Sequence, residues 1–164
     1  MRKILFFIIM ALGLGCCIVA CSRSEDMPKT TVKVYYVDAE LNRLLPYDEE
    51  IIDSDAPHMA EAVVSAIIRG RDYNDKIRRI IPDRKNCVTV RVEDNTAYVN
   101  LDSSIKTTIP DSRDIERLLI YQLVDSITEL KGIRFVKFTV DGEIHKDFMG
   151  YYDMRNVYKY VYPE

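Results

Sequence analysis

An α+β fold is expected for this chain, a compact single domain in which two amphipathic helices pack on one face of a mixed β-sheet. Three observations predict it. Stretches of period-two alternation recur along the sequence, two segments carry apolar residues at three- and four-residue steps, and the two kinds of segment interleave as β-α-β-β-α-β.

The first strand is read over residues 31–38, where Val32, Val34 and Tyr36 alternate with Lys33, Tyr35 and Val37, the pattern of a sheet with one buried face. Leu41 to Leu45, ended by Pro46, suggests a short second strand, and the acidic stretch Asp48, Glu49, Glu50, Asp53 and Asp55 reads as a solvated loop. The first helix follows. Ala60, Val63, Val64, Ile67 and Ile68 form one apolar stripe, with Asp55 or Pro57 marking the start and Gly70 the stop.

From Arg71 to Asn86 the pattern is irregular, with Ile77, Ile80 and Ile81 expected to tuck under the sheet. Val88, Val90 and Val92 then alternate, Asp94 and Asn95 turn the chain, and Ala97, Val99 and Leu101 return, which is a hairpin. The second helix is expected over about residues 112–130, capped by Asp111, with Asp114 and Glu116 as early acids favouring the helix N-terminus. Its stripe is Ile115, Leu118, Leu119, Leu123, Ile127 and Leu130. Val136, Phe138 and Val140 give a further strand, Asp141 and Gly142 a turn into a short sheet segment over 143–148, and the aromatic tail over 157–162 an edge strand or an ordered strap.

The start of the chain has a different character. Met1, Arg2 and Lys3 precede an apolar run from Ile4 to Ala20, and Cys21 follows Ile18, Val19 and Ala20. Basic residues, an apolar core and a small residue before a cysteine are the layout of a bacterial lipoprotein signal. Residues 1–20 are therefore read as a signal peptide, 21–30 as a lipidated Cys21 with a flexible tether, and 31–164 as the folded domain. Two or three acyl chains on Cys21, at about 0.8 kcal/mol per buried methylene, would hold the domain durably on the outer side of a membrane.

Without the leader, 21 basic residues face 26 acidic ones, a formal charge of −5. Such a balance gives no general electrostatic reason to bind nucleic acid. The cluster Arg69 to Arg71 and Lys76 to Arg79 is interrupted by Asp72 and Asp75, as on a solvated helix end. Cysteines agree with an anchored product. Once Cys16 and Cys17 leave with the leader and Cys21 is acylated, only Cys87 remains, so the domain is held by its core and Cys87 reads as a small apolar side chain.

Chemistry is sparse. His58 and His145 are the only imidazoles and read as surface residues. The sequence has no nucleophile elbow, zinc-type cysteine spacing, phosphate-cradling glycine loop or zinc-protease helix, so no cofactor, metal or catalytic residue is expected. Glu93, Asp94, Asp102, Asp141 and Glu143 fall near strand ends and are the carboxylates from which a glycosidase-like pair would be drawn. Tyr151, Tyr152, Tyr158, Tyr160 and Tyr162 crowd the tail, where they either roof the sheet or present a surface to a partner or glycan.

Taken in order, Val34-Tyr35-Tyr36-Val37-Asp38, Leu44-Leu45-Pro46, Ala66-Ile67-Ile68-Arg69-Gly70, Ile81-Pro82, the hairpin with Ala97-Tyr98-Val99-Asn100-Leu101, Leu119 to Glu129 and Val136 to Gly142 resemble successive segments of the GerMN domain of sporulation and germination lipoproteins. Gly70 is followed by Arg71 where that family usually has proline, and a single copy is present. The resemblance implies a non-catalytic module, related in shape to ring-building domains, that acts on the extracytoplasmic face. Its expected contacts are the membrane through a lipid anchor, an envelope protein or the cell wall, and a second copy of itself. The alternatives are a lipoprotein that binds a small molecule or glycan through its C-terminal tyrosines, and a wall hydrolase using the named carboxylates.

Overall fold

A computed structural model describes residues 27–70 and 75–160. The leader, Cys21, Arg71, Asp72 and Tyr162 lie outside the described residues. Elements follow in the order β1 (Lys29–Val37), β2 (Leu44–Ile52), α1 (Ala56–Arg69), β3 (Val88–Glu93), β4 (Thr96–Leu101), a 3-10 turn (Ser103–Thr107), α2 (Arg113–Thr128) and β5 (Phe135–Val140). The α+β class and the two helices are as expected. The strands, however, form two sheets: β1 and β2 pair antiparallel, and β3-β4-β5 is a mixed sheet with β3 antiparallel and β5 parallel to β4.

The division has a physical cause. The Tyr35 amide of β1 donates to Ser126 Oγ of α2 at 2.9 Å, and that hydroxyl donates to Gln122 O at 2.6 Å, so a helix side chain satisfies a strand edge that another strand would otherwise occupy. The far end of β1 is closed by the chain before Ile80, with Ala39 N donating to Lys76 O and Arg78 N to Val37 O. As a result β1 has two buried faces in its second half, where Val34, Tyr35, Tyr36 and Val37 are all buried. The expectation of one buried face holds only for its first half.

β2 departs further from the sequence reading. The strand does not stop at Pro46 but runs to Ile52, and Asp48, Glu49 and Glu50, read as a loop, pair with Lys33, Val32 and Thr31. Proline and carboxylates are admissible because β2 borders only β1, leaving Pro46 on an edge where a missing donor costs little. Asp38, a buried carboxylate, organises the intervening turn by accepting from the amides of Asn42 at 2.7 Å and Arg43 at 3.2 Å.

Both helices bury the expected stripes, except that Ile68 of α1 is only half-buried. Asp55 caps α1 by accepting from His58 N at 3.1 Å, and Gly70 ends it at φ 69°, a left-handed conformation that glycine adopts without steric cost. The cap of α2 is Ser112, whose Oγ accepts from Ile115 N at 3.2 Å, and not Asp111. Residues 143–148 do not form a strand; single bridges join Val140 to Glu143 and Asp147 to Asp153. The tail is a strap touching β5 at one bridge, Val136 to Tyr158. Among the described residues no helix is long and apolar enough to cross a membrane.

Candidate functional site

A concavity lies between α1 and the outer edge of β3. Asp102 N donates to Cys87 O at 2.9 Å, immediately before the β3-β4 register of Val88 with Leu101. Hydrogen-bonded and non-bonded pairs alternate along an antiparallel ladder. Thr89, Arg91 and Glu93 therefore exchange bonds with β4, while the N–H and C=O groups of Val88, Val90 and Val92 point away from it. The helix α1 runs beside that edge. Between them lies a groove of about 560 Å³ whose lining includes Val64, Ser65, Ile68, Val88, Thr89 and Val90.

Charge at the groove is mixed but ordered. Arg69, Arg84 and Lys85 supply cations and Glu61 and Asp83 acids. Arg79 lies 3.3 Å from Asp83, and Arg84 lies 3.2 Å from Asp102, so part of this charge is already paired. Lys85 has no ionic partner among the described residues, and it precedes Val88, at the beginning of β3. A second groove of about 540 Å³ on the other flank of α1 is lined by Met27, Ile51, Ile52, His58 and Ala62, among others. Arg69 and Ser65 border both.

The outward face of the three-stranded sheet is set by the same registers. Arg91, Tyr98 and Lys137 lie in one row, and Thr89, Asn100 and Thr139 in the next. The Arg91 guanidinium is 4.4 Å and the Lys137 ammonium 5.8 Å from the Tyr98 ring centre, so the cations and ring brace one another across the strands. Arg91 also pairs with Glu93.

Asp102 is held below the usual carboxylate range, first by hydrogen bonds from the side chain and amide of Ser104 and then by Arg84. Asp141 is held low by hydrogen bonds from Ser103. Glu93, Asp94 and Glu143 are exposed, and none of these five carboxylates lines either groove. His58 is exposed at the start of α1, its proton affinity raised by the hydrogen bond and charge of Asp55; His145 is exposed near Asp141. Cys87 is fully buried, its Sγ directed to Pro82 O at 3.3 Å, as expected for an apolar packing residue. No group of residues that could hold a metal ion occurs among the described residues.

The tail tyrosines divide between core and surface. Tyr158 is buried, edge-on to Phe138 at 5.4 Å and to Tyr121 at 6.2 Å, and its hydroxyl donates to Asp153 O at 3.0 Å. Tyr152 packs edge-on to Tyr121, and the Tyr160 hydroxyl bonds that of Tyr35 at 2.8 Å, which in turn donates to Glu129 Oε1 at 2.8 Å. Tyr151 stands exposed. Sequence reasoning missed the carboxylate that fixes this strap: Glu116, wholly buried, accepts from the amides of Met149 and Tyr151, each at 2.9 Å.

The chain is thus an α+β domain with two small sheets, a groove beside an open edge and a tyrosine-rich strap. Residues 33–146 match the family described as Germane, sporulation and spore germination, and the chain belongs to that family. Its fold is shared with a protein from Clostridium perfringens assigned as a lipoprotein, at 16% identity and a TM-score of 0.55 over 80% of this chain and 87% of the other. It is shared as well with the first GerMN domain of the sporulation protein GerM from Bacillus subtilis, at 16% identity and a TM-score of 0.54 over 77% and 93% of the two chains. Against the tandem GerMN domains of the same protein the TM-score is 0.57 at 16% identity, over 74% of this chain and 42% of that one, so the chain spans less than half of the tandem form. No curated protein matches the chain in sequence.

Proposed function

We propose that this protein is a lipid-anchored module of the bacterial cell envelope that works by binding a protein or the cell wall rather than by catalysis. The observation that carries the reading is the groove between α1 and the β3 edge, a surface with backbone donors and acceptors at its mouth and apolar side chains within it. Membership of a sporulation and germination family and the shared fold with a lipoprotein and with GerM support it. So do the hydrogen bonds that tie Asp102 to Ser104 and Asp141 to Ser103, which give both carboxylates a part in the local turns. Cys21, behind a basic start and an apolar run, supplies the anchor.

The anchor is tested by intact mass and membrane partitioning of the wild type beside Cys21→Ala, expressed in a bacterium that processes lipoproteins. The wild type is expected to lose residues 1–20, gain acyl mass and sediment with membranes, and the variant to do none of these. A leader retained in both would instead make residues 4–20 the anchor.

A further inference from the structure

We infer that the α1-β3 groove captures an extended polypeptide segment by strand addition, with a carboxylate at the segment's C-terminal end. Two independent features meet there. One is the phase of the β3-β4 ladder, which leaves the N–H and C=O groups of Val88, Val90 and Val92 directed outward. The other is the groove itself, which borders the first half of that edge at Val88 and Val90 and has Val64 and Ile68 of α1 among its lining. A helix beside an unpaired strand gives an incoming strand both of its requirements: main-chain bonds from the edge, and room on the helix side for every second side chain. The apolar members of that lining favour apolar residues at those alternate positions.

Polarity follows from charge. Residues 83–86 lead into β3; there Asp83 is paired with Arg79 and Arg84 with Asp102, which leaves Lys85 as the cation at its N-terminal end, with Arg69 bordering the same groove. A strand added antiparallel to β3 places its C-terminal end there, against the cations. The carboxylate belongs either to an Asp or Glu side chain or to a chain terminus. The two edges of the molecule differ in a way that favours β3: β2 carries Pro46 and a run of carboxylates, whereas the β3 edge carries neither proline nor a net charge, since Arg91 pairs with Glu93.

This inference rests on the reading of the protein as a binding module but not on its anchor. The probe is a pool of random heptapeptides with free C-termini, selected on the full chain in mild detergent and measured by fluorescence anisotropy beside C-terminally amidated copies. Enriched peptides are expected to alternate apolar residues and end in an acid or free carboxylate. Val90→Pro removes an outward N–H without touching the β4 ladder and is expected to weaken them at least tenfold; Lys85→Glu is expected to weaken acid-ended peptides alone. Retained binding on amidation assigns the carboxylate to a side chain, and lost binding to a terminus. Circular dichroism establishes that both variants fold. Binding that survives Val90→Pro, enrichment without alternation, or no enrichment overturns strand addition, and would leave the envelope-module reading to other surfaces. Self-association abolished by Val90→Pro and unaffected by peptide overturns it in favour of a second copy.

Discussion

Glu116 shows how much a single buried carboxylate can determine. It sits in the first turn of α2, where its charge also suits the helix N-terminus, and both its oxygens receive amides from the strap. Glu116→Ala leaves two buried donors unsatisfied and is expected to cost about 2–4 kcal/mol in urea unfolding; a loss below about 0.5 kcal/mol would contradict the role. Tyr158 gives a pH signature. Burial pushes its hydroxyl up to about 12. Because the folded state holds this proton more tightly than the unfolded chain, its contribution is complete below about pH 10 and is lost as pH rises through about 12, on the order of 2 kcal/mol. Stability measured across that window should fall, and should fall less steeply in Tyr158→Phe; an identical slope would contradict the assignment. Glu116 was legible only as an acid near a helix start, since periodicity carries no information about amides 33 and 35 residues away.

At the scale of elements, local chemistry was read well where it is local. Asp55, Gly70, the hairpin turn at Asp94 with φ 53° and the turn at Asp141 with φ 51° all stand where composition placed them. What failed was non-local. Pro46 and the acids after it argue against a strand in isolation, yet pairing with β1 outweighs that preference once an edge position removes the cost of a missing donor. The α2 cap was assigned one residue early, to Asp111, since both residues are good caps and only the backbone angles decide. Ser112→Ala is expected to cost about 1 kcal/mol and Asp111→Ala no more than about 0.5 kcal/mol in thermal or urea unfolding. The reverse order would return the cap to Asp111.

Over the whole molecule, the family match ends at residue 146 while the core does not. Phe148, Met154 and Tyr158 are buried beyond it, so the strap is a structural part of this chain. At about 1.5–3 kcal/mol for each buried side chain, against about 5–15 kcal/mol for a typical domain, a chain ending at Lys146 is expected to lose cooperative unfolding; a sharp transition within a few degrees of the full chain would show the strap to be dispensable. The groove was not legible in the sequence at all. Its two walls come from separate elements, α1 and β3, and whether β3 is an edge depends on where β5 inserts, which alternation does not encode.

A binding role at this surface requires an edge strand that is unpaired in the free protein. Amide hydrogen exchange resolved to single residues along β3 measures that directly. Slow exchange at Thr89, Arg91 and Glu93 with fast exchange at Val88, Val90 and Val92 is the expected result. Equal protection along all six would mean that the edge is already covered, and would contradict an open groove.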